Sequence, residues 1–392
     1  MLTGLRLASA ATALAVAACA PAPVDSEGSL DQQAPVEIAA PDPDPDTDLP
    51  TGPSSTLLET PEAAAKFLNR ASFGASMAEV NALVGRDAAD WLTEQFAVPI
   101  KDYTPEVEIA EAQGKAFKPH TSVFWDKAIN GADQLRQRMV FALSQIVVAA
   151  DDSTNDSFQV AFYIDVLQKH AFGNYRELLE DVTYTPHMGL YLTYLKNRAG
   201  DPAPGRIPDE NYAREIMQLF TIGLVELNLD GTPKVDGDGQ LIETYDNDDI
   251  SGLARVFTGL SYSNRWANPG PDLAGGRDFM VVYPQNHSTL EKSFLGFTIP
   301  ANTPGEMSID MALDRLFSHP NIAPFICKQL IQRFSASSPA PDYIERVATA
   351  FEAGLCKADN GTVLGTGQRG DLKATIAAVL LDKSLNQESE QK

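Results

Sequence analysis

The chain has 392 residues, 44% of them hydrophobic, and a formal net charge of −23 at pH 7. The hydrophobic fraction supports a buried core, and the length suits one sizeable domain or two small ones. So acidic a chain lacks the clustered Lys and Arg that nucleic acid or anionic headgroups require, which argues against both as partners. No apolar run after residue 20 approaches the roughly 20 residues needed to cross a bilayer.

Residues 1–18 have the layout of a secretory signal, with Arg6 near the start and a small, apolar run from Leu7 to Ala18. The run ends in Val16-Ala17-Ala18-Cys19, which resembles the lipobox, where the cysteine becomes lipidated and N-terminal. The alternative is an ordinary signal peptide with Cys19 incidental. The small predecessors and the Pro-rich sequel favour the lipoprotein, and more than one acyl chain would suffice for stable attachment to the membrane. Ala20 follows the cysteine, which by resemblance to Gram-negative lipoproteins favours the outer membrane, on its periplasmic or surface-facing side. Residues 20–59 form an acidic, Pro-rich linker with the run Pro41-Asp42-Pro43-Asp44-Pro45-Asp46. Such a segment cannot bury enough apolar surface to offset ordering and is expected to be disordered.

From residue 60 to 383 helix signals are dense, and residues 384–392 read as a polar tail. Thr60-Pro61-Glu62 supplies an N-cap, a first-turn proline and an acidic first turn. Ser76 and Glu79 have capping-box spacing, with Gly85 as a stop. Apolar spacing predicts helices over 133–149, 157–172 and 209–222, with Asn174 opening another. Further helices are predicted over 248–258, 309–318, 322–334, 343–353 and 372–382. Between Gly223 and Tyr245 the pattern changes. Leu224-Val225-Glu226-Leu227 alternates, Asp230-Gly231 and Asp236-Gly237 are turn formers, and 240–245 returns as a strand. A second extended piece is expected over Phe279–Tyr283. The expected fold is therefore mainly α, a multi-helix domain with a small β-hairpin insertion.

Several stretches resemble one family. Phe67-Leu68-Asn69-Arg70-Ala71-Ser72-Phe73-Gly74 is similar to the opening motif of DUF1800, a group of exported bacterial proteins named for their unknown function. The segment from Pro208 through Asn211-Tyr212-Ala213-Arg214-Glu215 to Leu224 resembles that family's most distinctive stretch. Leu229-Asp230-Gly231-Thr232-Pro233, Gly252 to Gly259, His287, Lys292 to Gly296 and Gln329 to Arg333 add to the likeness, which runs from about residue 60 to 383. Family members often continue beyond the helix ending near Leu381, so a short or truncated form is one expectation. The resemblance implies a helical fold and an exported setting, and it carries no catalytic residues. It also raises an exported DUF1501-family protein as a partner, since the two are often encoded side by side.

Asn211, Arg214, Glu215 and Gln218 occupy positions i, i+3, i+4 and i+7, so they share one helix face, with Tyr212, Ile216, Leu219 and Phe220 opposite. This is either a solvated stripe or the lining of a cleft in which Glu215 serves as base or ligand and Arg214 holds an anion. His287, in a loop, and Lys292 complete the catalytic candidates, and Glu215 and His287 are expected within about 8 Å of each other, close enough for one bridging water. His120, His170, His187 and His319 have weaker cases. Asp230, Asp236 and Asp238 invite a calcium reading, but an EF-hand beginning at Asp236 would put Asn247 where a bidentate Glu is required. Hairpin turns with an N-cap at Asp246 or Asp248 are the simpler account, and no metal is assigned. Gly365-Thr366-Gly367-Gln368-Arg369-Gly370 matches G-x-G-x-x-G, yet the preceding apolar run is too short for a central strand, so it reads as a loop with Asp371 as helix cap. Cys327 and Cys356 form a disulfide in an oxidising compartment or remain buried free thiols.

The first expectation is a membrane-anchored envelope factor of the periplasmic side that binds a partner or a polymer, cofactor unknown. The rival is an envelope hydrolase with its site around Glu215 and His287. Anchoring is directly testable: Cys19→Ala should shift the protein from membranes to a soluble pool. Unchanged membrane association of that variant would remove the lipid anchor.

Overall fold

Helix starts that carry a capping side chain in the sequence are helix starts in the computed structural model, which describes residues 56–114, 118–151, 156–200, 205–266 and 274–385. The predicted signal peptide, most of the linker and most of the tail lie outside these residues. Thr60 caps α1 (Pro61–Ala71) through the Ala63 N–H. Ser76 and Glu79 close a reciprocal capping box on α2 (Met77–Leu83), and the Asp87 carboxylate accepts the Ala89 N–H at the start of α3 (Ala88–Ala97). The packed body begins ahead of residue 60. Thr56 and Leu58 are buried, Leu57 bridges to Asp87, and the Thr56 hydroxyl donates to the Asp87 carboxylate at 2.6 Å.

Helices α4 (Tyr103–Ala112), α5 (Pro119–Asn130) and α6 (Gln134–Ser144) surround α7 (Ser157–His170) together with α8 (Tyr175–Thr183) and α9 (Pro186–Tyr191). The predicted 157–172 helix is thus found, as is the one opened by Asn174, whose side chain accepts the Arg176 N–H. Of the 133–149 helix, only Gln134–Ser144 is wound. α3, α4, α5 and α9 have no counterpart among the expectations.

The segment 209–222 is helical in two different ways. α10 (Asn211–Glu215) is followed directly by a π-helical stretch, Ile216–Thr221, closed by the Thr221 hydroxyl on the Ile216 carbonyl at 2.5 Å. The insertion that follows is more folded than a two-stranded hairpin. Three short extended stretches each bridge the other two: Val225 with Glu243, Leu227 with Pro233, and Val235 with Leu241. Its aspartates serve their own turns. Asp230 accepts the Thr232 N–H and hydroxyl, and Asp236 accepts the Asp238 and Gln240 N–H groups, all within 3.0 Å. Asp246 then caps α11 (Asn247–Ala254) in a capping box with Asp249.

Three two-stranded antiparallel ladders follow. β1 (Leu260–Ser261) pairs with β2 (Val281–Val282), as the extended piece at 279–283 foretells, and β3 (Lys292–Phe294) pairs with β4 (Phe297–Ile299). After α12 (Gly305–Phe317), α13 (Ile322–Phe334) and α14 (Pro341–Ala353), β5 (Leu355–Lys357) pairs with β6 (Val363–Gly365). Beyond Gly365, the last residue of β6, the glycine motif runs on as a loop, as expected. Gly365, Gly367 and Gly370 all hold positive φ, steering the chain from that ladder onto α15 (Leu372–Leu380), which Asp371 caps. α15 packs against α1, α3, α13 and α14, and most of its length is buried. The mainly α architecture with small β-hairpins is that expected.

Gly252 on α11 decides how closely that helix lies on β3, since a Cβ there would overlap the Ser293 carbonyl. In an exposed helix, Gly→Ala gains about 1 kcal/mol. Here the overlap reverses the sign, and Gly252→Ala should destabilise by about 3 kcal/mol in urea unfolding. A neutral or stabilising result would mean that α11 and β3 do not meet this closely.

Candidate functional site

The described surface holds a cleft of about 580 Å³ where two chain segments meet, Thr193–Arg198 and Arg206–Glu210. The second segment is the entry to α10. The Asp209 carboxylate accepts the Asn211 N–H at 2.9 Å and the Thr193 hydroxyl at 3.0 Å. The Asn197 amide grips the Asp209 backbone twice, accepting its N–H at 2.9 Å and donating to its carbonyl at 3.2 Å. Beneath them Tyr194 and Tyr212, both buried, stack with ring centroids 4.1 Å apart, and their hydroxyls reach the Thr183 carbonyl and hydroxyl. The cleft wall is therefore fixed by satisfied polar groups, and the segments that carry it are tied together by a buried aromatic stack.

Two wall residues, Thr193 (φ 62°) and Lys196 (φ 67°), hold left-handed backbone without being glycine. Such strain persists only where the surroundings enforce it, and it concentrates at functional positions. Lys196 Nζ sits 5.6 Å above the Tyr262 ring, and the Arg198 guanidinium 5.5 Å above Trp266. Arg206 donates from Nε and Nη2 to the Ala199 carbonyl at 3.3 and 3.1 Å. The wall is also tied to two other segments. The Gly259 N–H donates to the Asn197 carbonyl at 2.8 Å, and the Ala199 N–H to the Asn286 carbonyl at 2.8 Å.

The residues singled out from sequence divide between this cleft and its surroundings. Asn211 borders the cleft, with Nδ2 3.5 Å from the Thr193 hydroxyl. Arg214, Glu215 and Gln218 lie further along the same incompletely buried face, as spacing predicts, with Tyr212, Ile216 and Phe220 buried opposite. Leu219 departs from that pattern and is exposed, because the wider π turn rotates it off the apolar side. Arg214 lies 3.9 Å from Glu210, and Gln218 accepts a long bond from the Tyr245 hydroxyl at 3.4 Å. Glu215 is half-buried with no hydrogen bond or ion pair. Burial raises its carboxyl above the ordinary range, and Arg214 only partly offsets this.

His287 is buried, not a surface loop residue. Its Nδ1 lies 2.8 Å from the Thr258 carbonyl, so that nitrogen carries the proton, and Nε2 is left as a buried acceptor without a partner. Burial lowers its pKa. A Cβ at Gly305 would come within 3.2 Å of the imidazole, so the ring is closely packed. Lys292 is fully buried in β3 and donates to the Leu290 carbonyl at 3.2 Å, with no carboxylate in ion-pair range. Burial and the nearby Arg255 lower its pKa. No hydrogen bond or ion pair joins Glu215 to His287. Arg214 and Tyr245 lie near Glu215, and Thr258, Lys292 and Glu306 near His287.

The remaining histidines have local roles: His120 bonds Asp151 at 2.6 Å, His170 bonds Asp181 at 2.6 Å, and His319 accepts the Asn321 N–H. His187 is buried and pushed down to about 4. Cys327 and Cys356 are free thiols sealed in the core, so the buried-thiol alternative is the one realised and the disulfide is absent. Burial pushes the Cys356 thiol up to about 12 and Cys327 well above its usual value, which leaves both unreactive. Among the described residues no group of three or more His, Cys, Asp or Glu is arranged to hold a metal ion.

Residues 66–392 match the family described as Protein of unknown function (DUF1800). The chain belongs to that family. No curated protein and no solved structure matches it. Of the DUF1800-like segments, Pro208 to Glu210 line the cleft and Gly259, with Asn286 beside His287, braces its wall, whereas 67–74, 229–233, 292–296 and 329–333 do not line it. Sequence reasoning missed Thr193–Arg198 and Arg206, the opposite wall. The available signal was Lys196-Asn197-Arg198, a close pair of cations in a strongly acidic chain just ahead of a Gly- and Pro-rich stretch.

Glu215 yields a prediction with a definite sign. Its folded pKa is raised, so the protonated form is favoured by folding, and stability is lost as pH rises through that value. Glu215→Gln removes a charge that burial penalises without breaking a hydrogen bond. The melting temperature should be unchanged or higher at pH 7, with the difference shrinking below pH 4. A clear loss at pH 7 would assign Glu215 a structural partner.

Proposed function

We propose that this protein is a lipid-anchored envelope factor that binds a partner or surface polymer through the cleft between Thr193–Arg198 and Arg206–Glu210. The observation that carries this reading is the convergence there of the distinctive 208–224 segment with the Gly259 and Asn286 regions, over strained backbone held rigidly in place. A prepared, polar-walled cleft suits recognition, because a rigid wall loses little entropy on binding. The reading includes attachment through Cys19 to the outer membrane, and an exported DUF1501-family protein is among the partners it would accommodate. The hydrolase alternative draws less support, because His287 and Lys292 are buried in packed surroundings and share no bond with Glu215.

A photo-crosslinking side chain at Thr193 or Ile207, in the intact cell-borne protein, should capture one discrete envelope component. The same probe at exposed Met77 or Met307 should not. Equal labelling at all four positions, or none at the cleft, would remove the cleft as the binding surface.

A further inference from the structure

The charged groups lining the cleft are unequally engaged. Both of its carboxylates have partners: Asp209 holds the Asn211 N–H and the Thr193 hydroxyl, while Glu210 takes the Ser251 hydroxyl at 2.6 Å and lies 3.9 Å from Arg214. Among the described residues its two arginines have no carboxylate partner: neither Arg198 nor Arg206 enters an ion pair, although Arg side chains elsewhere in the fold pair readily, as Arg176 and Arg346 do. Both are nonetheless held in place. Trp266 backs the Arg198 guanidinium and is itself met edge-on by Tyr283, with ring centroids 5.4 Å apart. Arg206 is hooked to the Ala199 carbonyl, next in sequence to Arg198, and keeps Nη1 uncommitted.

Guanidinium groups fixed by a ring face and a carbonyl keep their remaining N–H edges for oxyanions such as carboxylate or phosphate. Among the described lining residues a cationic ligand would find no uncommitted carboxylate. The chain as a whole argues against a polyanion. At a net charge of −23, a long acidic polymer reaching out of the cleft meets an acidic surface. Electrostatic influence fades over about 8 Å at physiological ionic strength, so a single anionic group seated in the cleft feels mainly the two arginines.

We infer that the cleft takes a single terminal anionic group, a carboxylate or a phosphate monoester, gripped by Arg198 and Arg206. This rests on the cleft being the binding surface proposed above. Trp266 is a positioning residue that aims Arg198.

Calorimetric titration of the full-length protein tests this with four probes: N-acetyl-alanyl-alanine, its C-terminal amide, methyl phosphate and polyphosphate. Either the acid or methyl phosphate should bind at least tenfold more tightly than the neutral amide. Whichever of the two wins names the source of the anion. Arg198→Ala and Arg206→Ala should each weaken that probe by roughly 10- to 100-fold, the loss expected for one charged hydrogen-bonding group. Arg198→Lys should fall between, keeping charge but losing the planar fork. Melting curves of each variant matching the native protein separate lost binding from lost folding. Equal binding of acid and amide, indifference to both arginine substitutions, or tenfold preference for polyphosphate would overturn the inference. If cleft crosslinking persists while these probes fail, the binding surface stands and only its anionic ligand is wrong. If the crosslinking fails, the surface itself is wrong.

Discussion

Asn197 is the residue on which the cleft depends. Its side-chain amide clamps the Asp209 backbone from both ends, and its carbonyl accepts the Gly259 N–H. One buried residue thereby fixes three chain segments relative to each other, and the adjoining Ala199 adds a fourth through Asn286. The Asp209 backbone is near solvent, so removing the Asn197 side chain hands its amide and carbonyl to water and costs about the net worth of two hydrogen bonds, roughly 1–3 kcal/mol, together with the alignment of the wall.

The parts of the fold legible in the sequence are those set by local chemistry. Thr60, Ser76, Asn174, Asp246 and Asp371 cap helices because each offers an oxygen to an amide two or three residues on, and that geometry needs no tertiary context. What escaped was set by packing. α5 begins at a proline and mixes Trp125 and Ile129 on its exposed side with His120 and Lys127 on its buried one, so its periodicity is blurred. The π turn at Ile216–Thr221 has no composition signature, yet it alone moves Leu219 from core to surface. The β5–β6 ladder has no counterpart among the expectations because three residues cannot declare a strand without a partner beside them.

The candidate site shows the same division. Asn211, Arg214, Glu215 and Gln218 are all incompletely buried, in keeping with their spacing, although the segment is α-helical only through Glu215 and Gln218 lies in the π turn. Spacing could not show that His287 and Lys292 lie inside. A lone histidine and lysine in a loop-like sequence usually mean solvent, and here Thr258, Gly259, Gly305 and α11 close over them. The opposite wall of the cleft was invisible for a different reason. Arg198 and Arg206 acquire meaning only from what surrounds them, a ring face behind one and a carbonyl behind the other.

Strain and support are matched at this wall. A left-handed non-glycine residue costs about 1–3 kcal/mol, and Thr193 and Lys196 both adopt that conformation within a few residues. Between them Tyr194 is fully buried and stacked on Tyr212, and burial of a large side chain contributes about 1.5–3 kcal/mol before the aromatic contact is counted. The two effects are of one size, so the loop keeps its strained path only while the stack is intact. A relaxed loop would carry Arg198 off the Trp266 ring and away from the wall where Arg206 is hooked to Ala199. Keeping two guanidiniums on one cleft wall by strained backbone is costly in the empty protein, and that cost is recovered when an anion binds them. On this argument the strain is the preorganisation: folding has already gathered the groups that the ligand would otherwise have to collect.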